Sequence, residues 1–299
     1  MSIIVLGTVA LDTVKTPFGQ RTHMLGGSAV HFAMSCRLFT EVNLVGVIGE
    51  DFPSKHIKFL KSKGIVLSSL SKVAGRTFKW SGEYKGDLNS ALTLNTELGV
   101  LSTFEPRVAL EQRKIKHVFL ANVDPDIQMH LLELMHSPEL MGLDSMNFWI
   151  HNKRSALLRV LKKADIYVAN DQEARDLSGE KNLIKAAKAL RSFGPRMVLI
   201  KKGEHGVLFY SDAFMAALPA YPVEKVVDPT GAGDTFAGGF MGYLASVKKI
   251  HEASVKKALA FGTVAASFNV EDFGVARTAR LTMAQVRVRL LGFKRYSSF

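Results

Sequence analysis

The chain has 299 residues, 47% apolar and 22% charged, a balance ordinary for a globular protein with one large core. Its one cysteine, Cys36, excludes a disulfide framework and a cysteine-rich zinc cluster, and a reducing cytoplasm is the expected compartment. The net charge of +12 suits phosphate-bearing partners, but the basic residues are scattered in short pairs such as Lys248-Lys249 and Lys256-Lys257 that read as solvated faces; without zinc-finger spacing or a long basic tail, no nucleic-acid partner is expected.

The N-terminal run "SIIVLGTVA" lacks a basic n-region and meets Asp12 within a dozen residues, so it predicts a buried strand rather than a signal peptide. No segment is long enough to span a bilayer, and no membrane partner is expected. Next, "DTVKTPFGQRTHMLGG" sets a Pro-Phe-Gly turn between short polar strands, the pattern of an antiparallel hairpin. An amphipathic stretch at 27–39, the strand "EVNLVGVIG" and a second amphipathic stretch at 53–62 follow. In "GRTFKWSGEYKGDLNSALTLNTEL", Phe78, Trp80, Glu83 and Tyr84 alternate with polar residues before a Gly-Asp turn and a Thr-rich strand, which predicts a second hairpin with one wet face.

The rest of the chain returns to the first rhythm. The strands "KHVFLANV", "ADIYVAND" and "RMVLIKKG" are interleaved with amphipathic stretches at 126–135, 153–163, 183–192 and 251–266. Apolar strands spaced by helices predict an α/β fold whose mostly parallel sheet is covered on both faces. With no internal repeat and no low-complexity linker, residues 1–299 read as one domain. The hairpins, at about 12–25 and 75–100, read as an inserted β lid over the sheet's carboxyl edge, where ligands bind in open α/β folds. An exposed lid edge strand makes a homodimer through the lid an expectation.

The chemistry concentrates in "VVDPTGAGDTFAGGF", residues 226–240. Gly231, Ala232 and Gly233 let consecutive backbone N–H groups approach a bulky anion, and the apolar segment behind them supplies a helix whose N-terminus carries partial positive charge. Asp234 would then face the anion it repels, which is tolerable if its task is to take a proton from an attacking hydroxyl. As an ordinary residue it would be a first-turn acid that complements the helix dipole.

This stretch, "DPTGAGDTFAGGF", resembles the second signature of the PfkB, or ribokinase-like, sugar kinases. The resemblance implies a ribokinase-like three-layer sandwich with a small β-sheet lid. It also implies Asp234 as catalytic base, with the amides of Gly231 to Asp234 as the anion hole. "GTVALD" resembles the first-strand motif whose aspartate, here Asp12, binds sugar hydroxyls. "GGSAVHFA" resembles the diglycine of the first signature, with Gly26 and Gly27 beside the substrate. His31 departs from the asparagine common there and is kept as a substrate contact.

"ANDQEA" matches the family's N-x-x-E, implying that Asn170 and Glu173 organise water-bound Mg2+ and the phosphates; without the family, the same residues read as a helix cap. "VLIKKGEHGVLFY" resembles the nucleotide strand and turn, with Gly203 and Gly206 in register. Lys201 stands there in place of the usual threonine, and Lys202 is the residue expected to reach a phosphate as a point charge. Thr263 falls where asparagine is common on the adenine side. Asp228, Thr230 and the backbone near Gly274 resemble a monovalent-cation site found in part of the family, which makes K+ a candidate.

The resemblance runs from Asp12 to about Gly274 in the right motif order. It implies ATP-dependent phosphorylation of a hydroxymethyl group on a sugar, as in ribokinases and fructokinases. A nucleoside kinase is the alternative, because Phe18, Phe78, Trp80 and Tyr84 could stack on a base, although packing of those rings within the lid is the plainer expectation. A sensor that keeps the fold without catalysis is a further alternative, against which retention of Asp234 argues. The chain has no Gly-Lys dipeptide and so no P-loop, no second histidine for a zinc protease and no nucleophile elbow.

Overall fold

In the computed structural model, residues 1–86 and 88–297 are described; Asp87, half of the expected Gly-Asp turn, lies outside the described residues. In chain order the elements are β1 (Ser2–Leu6), β2 (Ala10–Thr16), β3 (Gly19–Gly26), α1 (Ser28–Cys36), β4 (Glu41–Ile48), α2 (Ser54–Ser62), β5 (Ile65–Lys72), β6 (Lys79–Tyr84), β7 (Ala91–Glu97) and β8 (His117–Leu120). They continue with α3 (Pro125–Leu134), β9 (Leu140–Asp144), α4 (Asn147–Asn152), α5 (Arg154–Leu161), β10 (Ile166–Asn170), α6 (Asp171–Ser178) and α7 (Leu183–Ser192). The last are β11 (Met197–Lys201), β12 (Val207–Ser211), β13 (Met215–Leu218), α8 (Ala232–Ser246), α9 (Glu252–Asn269) and α10 (Met283–Ser297).

Strand β1 explains the layering. Its side chains alternate between faces, and both faces are apolar: Ile3 and Val5 join one core cluster, Ile4 and Leu6 another. A strand buried on both sides needs helices above and below. Helices α1, α2, α8 and α9 cover the first face, and α3, α5, α6 and α7 the second. Between them lies a nine-stranded sheet in the order β13-β12-β11-β10-β9-β8-β1-β4-β5. Every pairing from β5 across to β11 is parallel, and β12 and β13 close that edge antiparallel. Because the chain leaves β1 for β4 on one side and returns to β8 on the other, the sheet has a switch point there. Loops at the carboxyl ends of these strands open a crevice.

The two predicted hairpins form as expected, β2 with β3 and β6 with β7. They join through a parallel β2–β6 pairing into a separate four-stranded sheet, β3-β2-β6-β7. Val14, Tyr84 and Phe273 form a small apolar cluster beneath it, so this lid rests on the loop after α9. Of the ring residues singled out in the lid, Tyr84 is in that cluster and Trp80 packs against it, while Phe18 lies under the Lys225 ammonium at 4.8 Å. Strand β7 is exposed along its length. No helix among the described residues is long and apolar enough to cross a membrane.

Candidate active site

The turn before α8 is built by one glycine. Gly231, the residue before the helix, has φ +73°, the left-handed region, and a Cβ there would stand 2.2 Å from the His31 ring. The helix therefore begins at Ala232 with bare backbone, and Asp234 lies in its first turn. Burial pushes the Asp234 carboxyl up to about 8; Asp144 and Glu173 push the same way, and Lys201 opposes them. A carboxyl so raised is a stronger base than an ordinary aspartate once ionised.

The His31 ring is buried against this turn. The side chain of Asn269, at the end of α9, donates to the Thr230 carbonyl at 2.8 Å, which fixes its amide orientation. Its Oδ1 then accepts from Thr235 Oγ1 at 3.0 Å and from His31 Nδ1 at 3.2 Å. His31 thus carries its proton on Nδ1, and its buried Nε2 has no partner among the described residues. Burial lowers the imidazole's proton affinity, which keeps the ring neutral.

On the lid side of the crevice, Asp12 is buried on β2 with Oδ2 accepting from the Gly27 amide at 3.3 Å. A Cβ on Gly26 would fall 1.9 Å from that oxygen, so the diglycine makes room for the carboxylate. Burial raises Asp12 to about 7 against the lowering effect of the Gly27 bond. Asp12, Gly26 and Gly27 are brought together as the sequence suggested.

Asn170 and Glu173 cap α6 reciprocally: Asn170 Oδ1 accepts from the Glu173 amide at 2.8 Å, and Glu173 Oε2 from the Asn170 amide at 2.7 Å. Glu173 is buried and raised to about 7 by that burial and then by Asp144. Asp228 spends both carboxylate oxygens on backbone amides, Oδ1 from Thr230 and Oδ2 from Gly274, each at 2.9 Å. It ties the loop before α8 to the loop after α9. Thr230 Oγ1 donates to the lid's Tyr84 hydroxyl at 3.3 Å.

A cavity of about 470 Å³ opens beside the α8 entrance, walled by Lys201, Gly203, Gly206, Gly233 and Thr263 among others. The lid tip, Leu88 and Asn89, lines its mouth, and Asn89 Nδ2 donates to Glu204 Oε1 at 3.1 Å. Lys202, expected at the phosphates, is not part of this wall; alternation along the strand end gives that place to Lys201. Lys201 Nζ donates to Asp144 Oδ2 at 2.9 Å. Burial works against its charge, but Asp144 and Glu173 outweigh it, and the ammonium is held above its ordinary pKa.

Sequence reading missed Asp144 and Asn269. Asp144 ends a short strand, "LMGLD", with no β-branched residue to mark it. The signal available was the one used for Asp12, an acid at a strand's carboxyl end. Asn269 carried no local signal, because its partners are distant in the chain.

A bare helix entrance, a buried carboxyl in its first turn and a cavity at a parallel sheet's carboxyl edge are the arrangement expected of a phosphotransferase of the α/β class. The pfkB carbohydrate kinase family matches residues 10–280, and the chain belongs to that family. It is 33% identical over 247 residues to a cytidine kinase of Thermococcus kodakarensis, covering 81% of this chain and 87% of the relative. Among solved structures, the Methanocaldococcus jannaschii nucleoside kinase, an archaeal member of the ribokinase family, superposes with TM-score 0.79 at 21% identity, covering 97% of this chain and 98% of that one. The Salmonella enterica aminoimidazole riboside kinase, solved with aminoimidazole riboside and an ATP analogue, gives TM-score 0.75 at 19% identity over 97% of this chain and 100% of that one.

Proposed function

We propose that this kinase phosphorylates the hydroxymethyl group of a ribofuranosyl acceptor with ATP as donor, and that the acceptor is a nucleoside. The observation that carries the chemistry is Asp234, a buried carboxyl of raised pKa in the first turn behind the bare entrance of α8. Asp234 removes the proton of the acceptor hydroxyl. The oxygen attacks the γ-phosphorus, the bond from that phosphorus to the bridging oxygen breaks, ADP leaves, and the proton stays on Asp234. The amides of residues 231–234 receive the charge of the moving phosphoryl group. Asp12 accepts hydrogen bonds from two vicinal hydroxyls beside the Gly26-Gly27 backbone. His31 supports the loop through Asn269 and by its contact with Gly231, rather than touching the acceptor.

Among the described residues no cluster of three acidic, histidine or cysteine side chains forms a direct metal cage. Glu173 Oε2 is committed to its cap, which leaves Oε1 for a water of a Mg2+ ion held mainly by water and phosphate, the manner magnesium prefers. Bound there, magnesium would neutralise phosphate charge. Asn170 would hold Glu173 in place, and Gly203 and Gly206 would let the nucleotide approach the β11–β12 turn. Potassium activation through the carbonyls around Asp228 and Thr230 is the finer proposal. A reducing cytoplasm suits the buried thiol of Cys36.

The nucleoside acceptor is supported by the T. kodakarensis relative and by the half-buried ring of Trp80, which sits on strand β6 in register with Asp12 on β2; Tyr84 is taken up by packing on Phe273. ADP release against a panel of nucleosides and free sugars tests it. Turnover on nucleosides is expected; turnover on free ribose or fructose alone would overturn the acceptor. Asp234→Asn is expected to lower kcat about 10²- to 10⁴-fold, and undiminished turnover in that variant would refute the base.

A further inference from the structure

Three carboxylates, those of Asp144, Glu173 and Asp234, converge at the sheet's carboxyl edge, and one ammonium enters among them. Lys201 ends β11 directly beside Asn170 of β10. Its Nζ stands 2.9 Å from Asp144 Oδ2 and 2.9 Å from the place a Cβ on Gly233 would take, so the charge lies against the bare backbone at the α8 entrance. Asp144 is itself fixed, because its other oxygen accepts from the Ser145 amide at 2.8 Å. Asp144 takes one of the ammonium's three N–H donors, and Nζ makes no other hydrogen bond among the described residues. The remaining donors sit on a side chain that lines the nucleotide-sized cavity. A polyphosphate entering there meets a cation held by an ion pair in a partly buried wall, where a fixed charge acts more strongly than in bulk water.

We propose that Lys201 is a catalytic residue of the transfer, one that the family pattern does not assign. Anchored by Asp144, its ammonium contacts the terminal phosphoryl group of the nucleotide beside the amides of residues 231–234 and bears part of the charge as that group moves. It gives up no proton and stays charged throughout. Threonine, the usual residue at this position, could offer only a neutral hydroxyl. This inference rests on the kinase reading above.

The test compares wild type with Lys201→Met, Lys201→Arg and the double variant Lys201→Met/Asp144→Asn, which spares the fold an unpaired buried carboxylate. Steady-state kinetics are read together with calorimetric binding of ATP and of ADP in the absence of magnesium. Lys201→Met and the double variant are expected to lose about 10²- to 10³-fold in kcat with acceptor KM little changed. They should also weaken ATP by about tenfold more than ADP, since only ATP carries the terminal phosphoryl group, and Lys201→Arg should recover part of both effects. A kcat within about threefold of wild type in the double variant, or equal weakening of ATP and ADP, would overturn the proposal. The binding preference needs no proton transfer, so a fully active Asp234→Asn would refute the assigned base and leave the Lys201 result readable.

Discussion

At the scale of single residues, three of the site's acids hold their protons more tightly than ordinary carboxyls do. Asp12 and Glu173 are raised to about 7 and Asp234 to about 8, burial being the largest cause each time. Asp234 must be ionised to accept a proton, so kcat/KM of the free enzyme is expected to fall as pH drops through about 8; a flat profile between pH 6 and 9 would contradict the assignment. The same shift acts on stability. An aspartate that ionises near 4 when unfolded and near 8 when folded keeps its proton in the native state over that window, so native stability falls as pH rises across it. Asp234→Asn removes one such group. It should melt higher than wild type at pH 8.5, by about 2–4 °C for each kcal/mol regained, with little difference at pH 4. Thermal scans at the two pH values check this.

At the scale of elements, the entrance of α8 depends on a conformation only glycine adopts easily. Gly231→Ala meets both a positive φ and the His31 ring, and should cost on the order of 1–3 kcal/mol of stability together with most of kcat. Melting and turnover measured on one preparation would show both, and an unaffected enzyme would mean that the loop is not held as described. Asn170→Ala breaks the α6 cap and should cost about 1 kcal/mol. It also releases Glu173, so half-saturating magnesium should rise in the same assay. Both features were legible in the sequence because each is local: a run of small residues before a helix, and an Asn three residues ahead of a Glu. Asp144 and Asn269 were not. Asp144 reaches the site because β9 lies beside β10, and Asn269 because α9 ends against the loop at Thr230. Sheet order and helix packing decide those meetings, and neither is written in any window of sequence.

At the scale of the whole molecule, the layered fold was legible from strands apolar on both faces and spaced by helices, and the lid from two stretches that broke that rhythm. The parallel β2–β6 pairing was less so, since it joins segments far apart in the chain. Nor did sequence foretell that Val14 and Tyr84 would settle on Phe273. Phe273→Ala should loosen that seat, raising acceptor KM and the rate of ATP hydrolysis without acceptor, because a lid that closes poorly admits water. A coupled assay with and without acceptor measures both. The lid also reaches two places at once: Asp12 lies on one of its strands, while Asn89 at its tip is bonded to Glu204, both lining the cavity beside the α8 entrance where the nucleotide is proposed to bind. Whatever free energy is spent in shutting that single plate is then shared by two guests. Acceptor and nucleotide should each tighten the other's dissociation constant, and by linkage the two factors must be equal.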